Sequence, residues 1–77
     1  MSKADKLKAK ILSGKSDRNI TFQEAVAVLE REGFLLVHGE GSHHFFRHPK
    51  TRRVVNIPRH GKEIKPIYVK KIREALQ

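Results

Sequence analysis

The stretch Gly41-Ser42-His43-His44-Phe45-Phe46-Arg47-His48-Pro49 decides the fold. His43 to His48 reads as a strand, entered from the turn Gly39-Glu40-Gly41-Ser42 and left through the turn Pro49-Lys50-Thr51-Arg52. Successive strand side chains point to opposite faces. His43, Phe45 and Arg47 therefore share one side, and His44, Phe46 and His48 the other. One side must be buried; if Phe46 is core, the first three face outward together.

Upstream, Phe34 to His38 is short, apolar and flanked by glycines, as expected of a strand. Downstream, Arg53-Val54-Val55-Asn56-Ile57 makes a third strand that Pro58 ends. Before the strands, Thr21-Phe22-Gln23-Glu24 has the spacing of a capping box and should open a helix. Phe22, Val26 and Leu29 form its apolar stripe with Ala25 beside them, and Gly33 suits the left-handed position that ends it. After the strands, Pro66 fits the first position of a last helix, whose buried stripe is Tyr68, Ile72 and Leu76 with Ala75. The expected fold is α+β, helix then three-stranded antiparallel sheet then helix (α-β-β-β-α). Two helices on one face would leave the other face of the sheet open to a ligand.

Met1 to Leu12 has helical spacing, with Leu7 and Ile11 one turn apart among lysines; a short exposed helix and a frayed end fit it equally. Residues 1–19 read as a basic tail and linker, and residues 20–77 as the folded domain. A chain of 77 residues has room for one domain, with a thin core. The absence of cysteine removes disulfides, zinc-thiolate sites and thiol chemistry. No apolar run reaches the roughly 18 residues of a membrane span, and no apolar block follows the N-terminus, so a cytoplasmic protein without a membrane partner is expected.

The formal charge is +9, which points to a polyanionic partner. Residues 1–46 carry 7 basic and 6 acidic side chains, whereas residues 47–77 carry 10 basic and 2 acidic, so the positive field belongs to the C-terminal half. Five histidines invite a metal hypothesis, but His43 and His44 point to opposite faces, and His44 and His48 lie about 13 Å apart at roughly 3.3 Å per residue. Neither a metal nor any small-molecule cofactor is expected. An outward His43, Phe45 and Arg47 would offer a titratable imidazole, a platform for a base and a cation for phosphate, which suits RNA. The Gly41-Ser42 turn can bring backbone amides close to a phosphate. A glycine turn entering a strand that merely holds two histidines is an equal reading of the spacing alone.

Three runs carry a family resemblance: Leu29-Glu30-Arg31-Glu32-Gly33-Phe34, then Gly41 to Pro49, then Val54-Val55-Asn56-Ile57-Pro58-Arg59-His60-Gly61-Lys62-Glu63-Ile64-Lys65. In this order, over about residues 20–76, the chain resembles the HicA toxin family. The glycine-serine-histidine segment is the most specific mark. The resemblance implies a fold similar to the double-stranded-RNA-binding domain. It also implies a ribosome-independent messenger-RNA endonuclease held inactive by a HicB-like antitoxin, with the histidine after glycine-serine, His43, as catalytic residue. Two departures are the extra basic N-terminal segment and Ile67-Tyr68 after Pro66, where many members have glycine-threonine.

On this reading His43 takes the proton from an RNA 2′-hydroxyl, a role suited to imidazole because it exchanges protons near neutral pH. Gly41, Ser42, His44, Phe45, Arg47, Arg53, Arg59 and Lys62 are the candidate RNA contacts. His60 or His44 could protonate the leaving oxygen. The alternatives are a non-catalytic RNA-binding module on the same fold, and a protein-interaction or DNA-binding domain, the latter disfavoured by the lack of a helix-turn-helix pair.

Overall fold

The structure, a computed structural model, describes residues 2–77; Met1, with which the first helical pattern begins, lies outside the described residues. Thr21 opens helix α2 (Phe22–Arg31) as its spacing predicts. Its hydroxyl accepts the Glu24 amide at 3.1 Å, and the Glu24 carboxylate accepts the Thr21 amide at 2.9 Å. Phe22, Ala25, Val28 and Leu29 turn into the core. Val28 thus takes the buried place that the spacing gives to Val26, which packs half-buried at the rim. Gly33, at a φ of 95°, ends the helix in the left-handed region. A β-carbon there would meet the His48 ring at 2.9 Å, so both the backbone and the space demand glycine.

Strands β1 (Leu35–Glu40), β2 (His43–Arg47) and β3 (Val54–Pro58) pair antiparallel in the order β1-β2-β3. Cross-strand pairs Phe46 with Val55 and His44 with Ile57 fix which residues share the inner face. Helix α3 (Pro66–Leu76) starts on Pro66 and buries Val69 and Ile72, with Tyr68, Ala75 and Leu76 partly buried against the core. The helix, three-stranded antiparallel sheet and helix are those expected, with the helices on one side of the sheet.

The core begins before Ile20. Residues Lys3–Ser13 form helix α1, closed by Gly14 in the left-handed region and opened by a capping box of Ser2 and Asp5. Ile11 is completely buried in the same cluster as Leu29, Ile57 and Ile72. Arg73 of α3 locks this segment down with a two-pronged grip on Asp17 at 3.0 and 3.1 Å and a bond to the Ile11 carbonyl at 2.9 Å. Lys8 adds an ion pair to Glu32 at 2.7 Å. The short motif spacing of residues 1–12 held no sign of this docking because Asp17 and Arg73 stand 56 positions apart.

The two capping carboxyls are held below the usual carboxylate range. For Glu24 the leading cause is the hydrogen bond from the Thr21 amide; for Asp5 it is the bond from the Ser2 side chain. A depressed folded-state pKa contributes stability that is present above the unfolded value and is lost as pH falls through the folded one. Melting temperatures of the parent and Glu24→Gln should therefore differ most near neutrality and converge on acidification; a gap that stays constant with pH would remove Glu24 from this role. Ile11→Ala should cost about 2–5 kcal/mol in urea unfolding, against about 0.5 kcal/mol or less for exposed Lys6→Ala. Equal effects would mean that α1 does not share the core.

Candidate active site on the open sheet face

Phe46 is 2% exposed, so the opposite face of β2 turns away from the helices. Three rows cross that face: Glu40, His43 and Pro58; then His38, Phe45 and Asn56; then Leu35, Arg47 and Val54. His43, Phe45 and Arg47 are thus brought together on the middle strand, with His43 and Arg47 exposed and Phe45 half-buried between its neighbours.

His43 occupies a junction. Toward the middle of the sheet it borders a shallow hollow shared with Glu40, Phe45 and Asn56. On its other side it borders a small cleft lined by His60, Glu63, Ile64, Lys65 and Tyr68, where the loop after β3 meets the start of α3. Asn56 Oδ1 lies 3.4 Å from His43 Nδ1. This pairing favours the tautomer with the proton on Nδ1 and leaves Nε2 with its lone pair, the state required of a proton acceptor.

The other candidate contacts have separate places. Gly41, at a φ of 57°, takes a backbone conformation that favours glycine, and no protein atom stands within 4 Å of where a β-carbon would be. Ser42 joins two connections: its carbonyl accepts the Arg59 amide at 2.6 Å, and its hydroxyl lies 3.4 Å from His60 Nε2. His44 points beneath the sheet, edge-on to Phe22 with ring centroids 5.0 Å apart, and its Nδ1 lies 3.1 Å from the Ser42 carbonyl. Arg59 sets its guanidinium 5.2 Å from the Phe22 ring centroid. Exposed Lys62 lines a groove with Arg59 at the start of α2. Arg53 is committed elsewhere: it donates to the Glu74 and Gln77 carbonyls at 2.8 and 2.6 Å, capping the negative end of α3.

Three residues of the open face escaped the sequence reading. Asn56 could have been found, because buried Val55 and Ile57 leave it pointing outward. His38 and Glu40 could not. A bulge between Leu36 and His38 shifts the register of β1, bringing His38 opposite Phe45, with ring centroids 5.8 Å apart, and Glu40 opposite His43. Among the described residues, no three His, Cys, Asp or Glu side chains are grouped to hold a metal ion.

Asn56→Ala should leave the fold standing, since this side chain lies outside the core cluster, and should shift the His43 tautomer balance read from imidazole nitrogen chemical shifts. Unchanged shifts would show that Asn56 does not hold the ring.

Comparison with known proteins adds one finding. A family model described as HicA toxin of bacterial toxin-antitoxin matches residues 22–77. No curated protein and no solved structure matches the chain. The matched span runs from the first residue of α2 to the C-terminus, taking in the whole sheet and both hollows beside His43 and leaving out α1. This chain belongs to the HicA toxin family.

Proposed function

We propose that the protein is the RNA-cutting toxin of a toxin–antitoxin pair, a metal-independent endoribonuclease acting on messenger RNA in the cytoplasm and neutralised by a HicB-like antitoxin. The observation that carries this reading is the exposed His43 imidazole on the open sheet face, with Asn56 against its Nδ1 and Nε2 left for a substrate. Membership of a toxin family supports the toxin role. Among the described residues, no helix is long and apolar enough to cross a membrane.

The proposed step needs few parts. His43 Nε2 accepts the proton of a ribose 2′-hydroxyl, and the oxygen attacks the adjacent phosphorus. A positioned general base is worth roughly 100- to 10,000-fold in rate. Phe45 offers a face on which a base can stack, worth about 1–3 kcal/mol in single-strand binding. Arg47, two residues from Phe45 on the same face, supplies a cation to the phosphate backbone without moving protons. Arg59 and Lys62 extend the positive surface around the start of α2.

A non-catalytic module would bind RNA with the same salt dependence, because phosphate neutralisation releases counterions in either case. Fragmentation decides between them. Incubated with total RNA in excess chelator, the parent should produce discrete fragments, and His43→Ala should slow their appearance by roughly 100-fold or more with an unchanged melting temperature. Intact RNA with the parent would leave only the binding module. A single 2′-deoxy sugar at the cleaved position should block cutting there; an undiminished rate would rule out attack by the 2′-oxygen.

A further inference from the structure

The proposed base leaves one proton unaccounted for: the departing 5′-oxygen must be protonated, and His43 has just received a proton instead of giving one. The cleft on the other side of His43 holds the candidate. Its walls include both His60, from the loop after β3, and His43. We propose that this cleft receives the nucleotide on the leaving side of the cut phosphodiester, and that His60 is the general acid. The inference rests on the nuclease reading of His43.

What ties the two rings together is Ser42. Residues Ser42-His43 and Arg59-His60 are two consecutive pairs on different connections, laced together twice. The Arg59 amide donates to the Ser42 carbonyl at 2.6 Å, and Ser42 Oγ lies 3.4 Å from His60 Nε2. The main-chain bond holds the two connections side by side, and the hydroxyl steers the His60 ring. In the protonated ring Nε2–H donates to Ser42 Oγ, which leaves Nδ1–H as the donor for an oxygen in the cleft. Ser42 is on this account a positioning residue.

The remaining groups are worse placed or worse suited. His44 lies under the sheet against Phe22, and His38 sits beyond Phe45 on β1. Tyr68 and Lys65 do line the cleft, but phenols and ammonium groups release protons reluctantly near neutral pH. Lys65, where α3 begins, instead offers positive charge to the phosphate, with Glu63 supplying negative charge in the same walls. Buried Ile64 contributes apolar surface for a base or sugar. The step then balances. The 2′-hydroxyl proton passes to His43, the 2′-oxygen bonds to phosphorus, the bond from phosphorus to the 5′-oxygen breaks, and that oxygen takes the His60 proton. The two imidazoles finish with exchanged protonation states.

The test uses an oligoribonucleotide spanning a cleavage site mapped with the parent, made in two forms: ordinary, and with sulfur replacing the 5′-oxygen that leaves. A thiolate departs without being protonated. On the ordinary substrate His60→Ala should be slower than the parent by roughly 100-fold or more; on the sulfur substrate its rate should return to within a few-fold of the parent, about the lower limit of a resolvable catalytic effect. Ser42→Ala should show a smaller loss with the same rescue, and His43→Ala should stay slow on both. If His60→Ala cuts the ordinary substrate at the parental rate, or is equally slow on both, the proposed acid is wrong while the nuclease reading survives. If the parent cuts neither, the nuclease reading falls and this inference with it.

Discussion

Phe46 faces Val55 across the β2–β3 ladder and packs into the cluster formed with the helices. A strand of period two cannot bury that ring without turning His43, Phe45 and Arg47 the other way. The magnitudes leave no competing register. Sealing a phenylalanine away from water is worth about 1.5–3 kcal/mol. A one-residue slip would bury Phe45 in its place, so the choice falls to Arg47, whose cation the slip would press into the core without a partner at a cost of several kcal/mol. In a domain whose whole margin is about 5–15 kcal/mol, this one packing choice sets which side of the sheet meets solvent, and hence where any chemistry takes place.

With one face of the sheet open to solvent, the other must supply nearly all the stability. Two helices on three short strands make a thin core, and α1 thickens it from behind. Ile11 inserts beside the α2 and α3 residues, while Arg73 grips Asp17 and the end of α1 together. The segment outside the family match is therefore part of this protein's framework, joined on the side away from His43. The same division of labour holds among the cations. Arg53 and Arg73 hold helix ends and a turn, whereas Arg47, Arg59 and Lys62 stay exposed around the open face and the start of α2.

Local rules made much of this readable from residues alone. The Thr21–Glu24 box, Gly33 and Pro66 each mark a helix end by chemistry within four residues, and the alternation of β2 assigns His43, Phe45 and Arg47 to one face. The unreadable parts depend on partners distant in sequence. Docking of α1 requires Asp17 to find Arg73; Arg53 could be known as a helix cap only once α3 had been placed beside β3. His38 and Glu40 reach the open face through a bulge that no turn residue announces. The contact of Ser42 with His60 joins two loops 18 residues apart, so nothing in the glycine-serine turn itself announces it.

In the proposed reaction an imidazole on this open face draws a proton from a ribose hydroxyl and sends the oxygen against phosphorus. The chemical ends of the fragments report that step directly. Mass spectrometry of a defined RNA cut by the parent should find a 2′,3′-cyclic phosphate, or the phosphate left when it opens, on one product and a 5′-hydroxyl on the other. Fragments carrying a 3′-hydroxyl and a 5′-phosphate would mean that water attacked instead, and would contradict the role given to His43.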